Sequence, residues 1–215
     1  MPRLIDISPL VSPHTAVWPG DVAFARRVAL SMAKGDNLEL SSIQSTVHVG
    51  AHADAPSHYH LEGRSIDAQP LAPYCGPCQV VEVALPRGAR IQPADLGVEL
   101  AGLPPRVLLK TGSFPDPDAF NEDFNSLSPE LVEALHAVGV VLVGIDTPSV
   151  DPFADKALES HQALYRTGTA NLEGIVLEDV APGRYTLIAL PLKLAGCDAS
   201  PVRAVLVEGS LGELG

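Results

Sequence analysis

The order of apolar and polar residues predicts short strands along most of the chain. Strand-length apolar runs or alternations cover 4–7, 79–85, 106–111, 140–145, 175–177, 185–190 and 202–207. The run at 140–145 is apolar throughout, which is typical of a strand buried on both faces. Two further extended segments, 22–32 and 38–49, flank a turn-forming Lys-Gly-Asp-Asn sequence and predict a hairpin.

Helix signals are fewer and occur in the second half of the chain. Ser128 is a good N-cap, Pro129 suits the first helical position, and Gly139 ends the apolar stripe that follows. A second helix is predicted over 157–165. We therefore predict an α/β fold: a single mixed domain over 1–215, with a dominant β-sheet and few helices.

Composition and charge narrow the range of partners. The chain has 215 residues, of which 46% are hydrophobic, enough for one sizeable core. Its 26 acidic residues outnumber 14 lysines and arginines, giving a net charge of −12, and such a surface repels phosphate backbones and anionic lipids. We expect neither a nucleic-acid nor a membrane partner. The odd number of cysteines and the absence of a secretory signal favour a cytoplasmic location.

Candidate chemistry is concentrated between positions 48 and 60, where four of the seven histidines lie. His48, Gly50, His52 and Asp54 alternate with small apolar residues, so an extended chain would place them on one side. In a straight strand the two histidines would be about 13 Å apart, too far to share an ion. Gly50 permits a bend, and we predict a kinked loop leaving a strand, in which His48, His52 and Asp54 converge on a metal ion.

Two simpler interpretations of this segment stay open. It could be a histidine-rich surface loop, or its histidines could be buried and hydrogen-bonded to backbone carbonyls. His161, early in a predicted helix, and Glu173, after a glycine at a strand entrance, are further candidate ligands. Their spacing from the first cluster does not show whether the fold brings them together.

The sequence resembles the cyclase-type metal-dependent hydrolases. The resemblance is carried by His48-x-Gly50-x-His52-x-Asp54-Ala55-Pro56-x-His58, with Ala51 where threonine is most common. It extends to the segments 6–8, 17–21, 142–149, 171–174, 190–194 and 199–203. The segments Trp18-Pro19-Gly20-Asp21 and 144–149 are most similar to the bacterial kynurenine formamidases.

This resemblance implies a cyclase-family fold, a function and a set of site residues. His48, His52 and Asp54 would hold one zinc ion, and Asp54 would bridge to a second ion completed by His161 and Glu173. Mixed nitrogen and oxygen ligands also suit manganese or cobalt. The implied enzyme is a homodimer that hydrolyses N-formyl-L-kynurenine, an aryl formamide, to L-kynurenine and formate in tryptophan catabolism.

The resemblance also implies roles for His58 and Trp18. A histidine with an ordinary pKa of about 6.5 can move a proton from the attacking water to the leaving nitrogen, so His58 is the candidate acid/base catalyst. The alternatives for His58 are a fourth metal ligand or a hydrogen bond to a ligand. Trp18, the single tryptophan, would line the substrate pocket and stack on the aryl ring, although most large aromatic residues belong to the core.

Two further motifs have open interpretations. Cys75-Gly76-Pro77-Cys78 has thioredoxin-type spacing, but a strand follows where the redox motif needs a helix, so we interpret it as a turn with two incidental thiols. Asp146, at the end of a buried strand, is either a hydrogen-bond partner of a metal-bound histidine or a turn former.

Three functional alternatives follow from the sequence. The first is a related amide hydrolase acting on isatin or a cyclic imide. The second is a non-catalytic zinc-binding protein that kept the ligands, and the third is a redox protein acting through Cys75 and Cys78.

Overall fold

A computed structural model describes residues 3–209. Within this range there are two α-helices, α1 (Pro129–Ala137) and α2 (Glu159–Thr167). The strands, in chain order, are β1 (Arg3–Asp6), β2 (Ala25–Leu30), β3 (Leu40–Gln44), β4 (His52–Asp54), β5 (Cys75–Glu82), β6 (Arg90–Ile91), β7 (Arg106–Lys110), β8 (Ser126–Leu127), β9 (Leu142–Ile145), β10 (Ala170–Leu172), β11 (Gly183–Ile188), β12 (Ala199–Pro201) and β13 (Val205–Glu208). The predicted α/β class with a dominant sheet and few helices is confirmed.

One seven-stranded mixed sheet organises the molecule, in the order β1-β13-β11-β5-β7-β9-β10. Strands β5, β7, β9 and β10 run parallel to one another, whereas β11, β13 and β1 complete the sheet through antiparallel pairs. Strands β4 and β12 form a separate antiparallel pair, and β2 and β3 form the predicted hairpin. None of the helices in 3–209 is long and apolar enough to cross a membrane.

The sheet is buried on both faces, as the apolar run at 140–145 predicts. In β7, Val107 and Leu109 pack on the face that α1 and α2 cover, while Leu108 packs on the opposite face. Helix α1 begins as the sequence predicts, because the Ser128 side chain accepts a hydrogen bond from the Leu131 N–H. The helices therefore cover one face of the parallel strands. The candidate site lies at β4 and directly after β10.

The structure corrects several predicted elements. The predicted strand at 175–177 is wrong: Gly174 adopts a left-handed φ of +63°, and the strand lies before it, as β10. The predicted strand at 202–207 is confirmed only from 205, as β13; residues 202–204 form no strand and separate it from β12. The hairpin strands are shorter than the segments 22–32 and 38–49, and α2 is shifted two residues toward the C-terminus relative to 157–165.

Candidate metal centre and active site

Strand β4 positions the first two candidate ligands. His52 and Asp54 are two residues apart and so share a face, while Ala53 between them is buried in the core. On one edge, β4 pairs with β12. On the other edge, His52 and Glu173 exchange two backbone hydrogen bonds of 3.0 Å each, although 120 residues separate them in the sequence. This exchange places the Glu173 side chain beside that of His52.

Two glycines let the loop before β4 approach Glu173 closely. Gly50 has a φ of +60°, which provides the predicted bend, but the kinked loop enters a strand and does not leave one. A Cβ on Gly174 would lie 2.3 Å from the carbonyl oxygen of Gly50, so only glycine fits there. The bend returns the His48 ring toward β4, where its Nδ1 lies 3.0 Å from Oδ1 of Asp54.

Helix α2 contributes the remaining candidate ligand from its first turn. His161 Nε2 lies 3.3 Å from Oδ2 of Asp54 and 3.4 Å from Oε1 of Glu173. His52 Nε2 lies 3.3 Å from the other Glu173 oxygen. The structure therefore brings together five side chains that lie far apart in sequence, which we call the carboxylate–histidine centre: His48, His52, Asp54, His161 and Glu173.

All three histidines of this centre are oriented in the same way. One ring nitrogen donates a hydrogen bond to an oxygen, and the other nitrogen faces the carboxylates of the centre. The donations are His52 Nδ1 to the Gly50 carbonyl (2.8 Å), His161 Nδ1 to Asp151 Oδ2 (2.8 Å) and His48 Nε2 to Asp198 Oδ2 (3.1 Å). Such partners fix the tautomer and ring orientation of metal-ligating histidines.

The Asp54 carboxylate shows that the centre fits divalent cations. Its Oδ2 accepts a hydrogen bond from Asn171, whereas its buried Oδ1 accepts none. His48 Nδ1 is only 3.0 Å from that oxygen but is not aligned for a hydrogen bond, so both atoms face a common space. The two oxygens of Asp54 face different histidines, so this carboxylate could contribute to more than one set of ligands.

Within residues 3–209, two overlapping sets of side chains have ligand atoms close enough to hold an ion. Both sets contain Asp54, and they are His48 with Asp54 and His58, and His52 with Asp54 and Glu173. This division differs from the one that the resemblance implies, because His58 and not His52 accompanies His48, and His52 and not His161 accompanies Glu173. The alternative role of His58 as a ligand therefore has a geometric basis.

The field within the centre is negative and favours bound cations. Burial lowers the pKa of His48, but its contacts with Asp54 and Asp198 outweigh burial and raise the pKa to about 9. Burial and the charge of Asp54 raise the pKa of Glu173, yet hydrogen bonds from His161 and His52 outweigh them and lower it. Two ionised carboxylates are thus held together in a buried space, which positive charge stabilises.

His58 lies beside the centre, at the end of a short 3-10 helix (Pro56–His58). Its ring centroid is 4.2 Å from that of His48, and its Nδ1 donates to Oδ2 of Asp198 at 3.2 Å. Asp198 is placed there because its carbonyl accepts the Ala55 N–H, next to the end of β4. About a third of the His58 side chain is exposed, so the ring reaches the adjoining cavity.

A cavity of about 710 Å³ opens over the carboxylate–histidine centre. The same cavity is lined by four aromatic residues, which we call the aromatic wall: Trp18, Phe114, Phe120 and Phe153. The Trp18 ring lies 5.0 Å from that of Phe153 and 5.5 Å from that of Phe120. Trp18 is 37% exposed, as its turn position predicts, so it is not a core residue.

Of the two roles that the sequence left open for Asp146, the structure favours that of a turn former. Asp146 accepts hydrogen bonds from the Thr111 N–H and hydroxyl and from the Gly112 N–H, so it anchors the loop after β7. The carboxylate that orients a histidine is Asp151, which is fully buried and bonded to His161. Asp151, Asp198 and Asn171 were not predicted from the sequence. Only Asn171 could have been found from its sequence neighbours, because it lies two residues before the candidate ligand Glu173.

The cysteine motif lies in a strand and not in the predicted turn. Cys75 and Cys78 both belong to β5, opposite Ile188 and Tyr185 of β11. Three residues of extended chain separate their Cα atoms by about 10 Å, beyond the roughly 7 Å limit for a disulfide. Burial also raises the pKa of the Cys78 thiol to about 12, so it is a weak nucleophile.

Comparison with known families decides the relationship that this geometry suggests. The Cyclase family model matches residues 5–152, more than two thirds of the chain, including His48, His52, Asp54 and His58. The chain belongs to the Cyclase family. The other candidate ligands, His161 in α2 and Glu173 directly after β10, lie beyond the segment that this family model matches.

Cyclase-family relatives cover nearly the whole chain. A kynurenine formamidase from Bordetella petrii is 46% identical over 208 residues, which are 97% of this chain and 99% of the relative. A solved structure of a predicted metal-dependent hydrolase from Bacillus stearothermophilus is 27% identical, covers 97% of this chain and 100% of its own, and has a TM-score of 0.81. Isatin hydrolase A from Labrenzia aggregata shares the fold at 22% identity, with a TM-score of 0.82 and coverage of 97% and 94%.

Proposed function

We propose that this Cyclase-family protein is a metal-dependent arylformamidase. It hydrolyses N-formyl-L-kynurenine to L-kynurenine and formate, a step of the kynurenine pathway of tryptophan catabolism. The name of the 46% identical relative supports the substrate. The observation that carries the proposal is the juxtaposition, across one cavity, of the carboxylate–histidine centre and the aromatic wall.

The centre supplies the ligands for two cations. His48, His52 and Asp54 would hold one ion, and Asp54, His161 and Glu173 a second, with His58 as a candidate for the first set. Nitrogen and carboxylate ligands suit zinc, and also manganese or cobalt. When bound, such ions act as Lewis acids that lower the pKa of water and polarise a carbonyl.

His58 is the proposed acid/base catalyst. Its Nδ1 donates to Asp198, so Nε2 is the nitrogen that exchanges a proton with substrate. In amide hydrolysis, a proton leaves the attacking water and one must reach the departing aniline nitrogen. His58 Nε2 accepts the first and delivers it to the second, while Asp198 holds the ring in place.

The aromatic wall is the proposed binding surface for the aryl ring. Trp18 and Phe153 lie side by side with a tilt of 32° between their planes, and their exposed edges line the cavity. Aromatic side chains bind planar rings through offset and edge contacts. A ring held there would direct its formamide group across the cavity toward His58 and the centre.

Formate release tests the proposal directly. The purified, metal-loaded protein is expected to release formate from N-formyl-L-kynurenine. Its kcat/KM for this substrate should be at least about 100-fold above its kcat/KM for isatin or for a cyclic imide. No turnover of N-formyl-L-kynurenine would contradict the proposal. Preferential opening of isatin would assign the related hydrolase activity in its place, and elemental analysis of the same sample would count the ions per chain.

We also propose a homodimer, in which the β2–β3 hairpin contacts a second copy of the chain. Almost every hairpin residue is exposed, including Val28, Leu40 and Ile43 at 43%, 51% and 71%. An isolated two-stranded ribbon is only marginally stable in water, and an exposed apolar patch favours association. Arg26 and Arg27 give the hairpin positive charge in a chain of net charge −12. Light scattering of the wild type and of an Ile43→Glu variant tests the dimer.

Two broader proposals complete this assignment. Residues 1–215 form one domain, which is supported by two apolar clusters that share a single sheet. The protein is cytoplasmic, which is supported by the three cysteines, all of which are free thiols. Fractionation of the source cells would test the location, and a single cooperative unfolding transition would support the single domain.

A further inference from the structure

The cavity is lined by a positively charged side chain that has no role in the proposed hydrolysis. Besides histidines, the positively charged side chains that line it are Lys110 and Lys156. Lys110 donates from Nζ to the carbonyls of Glu178 and Val180, at 2.7 and 3.1 Å, so it stabilises the adjacent loop. The Lys156 side chain is exposed at the cavity and, within residues 3–209, forms neither a salt bridge nor a hydrogen bond.

The backbone around Lys156 is nevertheless held firmly. Asp155 Oδ1 accepts the Ala157 N–H at 2.7 Å, and Asp155 Oδ2 accepts a hydrogen bond from Arg90 at 2.5 Å. Arg90 also donates to Glu159 at 2.6 Å, at the start of α2. Because both neighbours are anchored, a ligand of Lys156 would need to order only its side chain, which lowers the entropic cost of binding.

Lys156 also lies close in sequence to both functional parts of the cavity. Phe153 of the aromatic wall precedes it by three residues, and Asp151, which orients His161, precedes it by five. A single anchored segment thus presents an aromatic platform followed by an ammonium group. An aryl group carrying an anion on a short chain matches that order.

Acidic residues elsewhere in the cavity make Lys156 a favourable partner for an anionic group. Asp21 and Glu178, both exposed, line the cavity, and the whole chain has a net charge of −12. An anionic group entering such a field is repelled unless a cation faces it. A carboxylate on the substrate would therefore find few favourable positions, and Lys156 provides one.

We propose that Lys156 binds the α-carboxylate of an aryl amino acid substrate and so selects N-formyl-L-kynurenine over aryl formamides that lack a carboxylate. This inference rests on the proposed function and adds its specificity residue. Lys156 lines the same cavity as the aromatic wall but is not part of the carboxylate–histidine centre, so the salt bridge contributes to binding and not to proton transfer.

Steady-state kinetics with two substrates tests the proposal. Lys156→Ala is expected to raise KM about fivefold for N-formyl-L-kynurenine, and less than about twofold for 2-formamidoacetophenone, which has the same ring and no carboxylate. Lys156→Arg should restore most of the loss, and Arg3→Ala, which removes an exposed cation outside the cavity lining, should leave both KM values unchanged. Equal effects of Lys156→Ala on the two substrates, or none on either, would overturn the proposal.

A binding measurement separates this inference from the proposed reaction. Trp18 is the single tryptophan and lines the cavity, so its fluorescence reports occupancy by L-kynurenine or 2-aminoacetophenone. Lys156→Ala should weaken only L-kynurenine, by about fivefold. If the wild type binds L-kynurenine in this carboxylate-dependent way without hydrolysing the formyl compound, only the proposed reaction fails. If the wild type does not bind L-kynurenine, or the variant binds it equally well, the role of Lys156 is wrong.

Discussion

The carboxylate–histidine centre and the aromatic wall share one cavity but are built in different ways. In the centre, Asp54, His161 and Glu173 are each at most 3% exposed and lie on or beside strand β4, strand β10 and helix α2. In the wall, Trp18 is 37% exposed, lies in a turn, and contacts mainly other aromatic rings. The centre is fixed by directional hydrogen bonds, whereas the wall is held by apolar contacts.

This difference predicts two kinds of response to mutation. Substitution of a buried ligand is expected to have a large effect, because it leaves the polar groups that are hydrogen-bonded to that ligand without partners. An aromatic contact on an exposed loop contributes in proportion to the area it covers. We expect large changes in metal content and kcat from the centre, and graded changes in KM from the wall.

The largest effect is expected from Asp54→Asn, which removes the charge that faces three histidines without changing the size of the side chain. Metal content should fall to near zero, and kcat/KM for N-formyl-L-kynurenine should fall at least about 1000-fold. Elemental analysis and formate release measure the two quantities. Asp179→Asn, an exposed acid in the loop after β10, is the matched control. Full metal content in Asp54→Asn would show that the centre is not the metal site.

His58→Ala tests whether the centre ends at its five members. We expect kcat to fall about 1000-fold with unchanged metal content, because the proposed role of His58 is proton transfer. His60→Ala is the control, since His60 stacks on Tyr165 at 3.6 Å outside the cavity lining. Loss of one ion per chain together with activity would instead make His58 a ligand, in line with its place beside His48 and Asp54.

The two regions were also predicted from the sequence to different extents. His48, His52 and Asp54 stand at alternate positions around a glycine, so local chemistry and spacing suffice to predict that they converge. His161 and Glu173 reach the centre only through the fold, because Glu173 exchanges backbone hydrogen bonds with His52. Without the resemblance, nothing in their surroundings would have connected them to the first three.

The carboxylates that orient the histidines, Asp151 and Asp198, were not predicted from the sequence, because their contacts also depend on the fold. Asp198 contacts His48 and His58 because β12 pairs with β4, a pairing of two three-residue strands separated by more than 140 residues. Short strands carry little periodicity, and one-residue changes in register reverse the exposed face. The same weakness explains the strand wrongly predicted at 175–177, where the buried Ile175 and Leu177 follow Gly174 without pairing in the sheet.

A smaller effect is expected from Asp151→Asn, because Asp151 orients His161 and does not face the cation space. Removing the charge should weaken metal binding about 10- to 100-fold, measured by competition with a chelator. Asp155→Asn is a close control: it also interacts with Arg90 and the start of α2, but it does not contact His161. If both variants lower metal affinity equally, Asp151 acts through the stability of α2 and not through the histidine.

The smallest effect is expected from Trp18→Leu, and it tests the other side of the comparison. The change removes one ring from the aromatic wall but keeps an apolar side chain in an exposed turn, so the fold should not be affected. KM for N-formyl-L-kynurenine should rise about tenfold, equivalent to about 1.4 kcal/mol, with kcat and metal content unchanged. Leu61→Ala, at a fully exposed site, is the control. A fall in kcat as large as that of His58→Ala would show that the wall aligns the substrate for reaction. The aromatic wall would then contribute to the chemical step and not to binding alone.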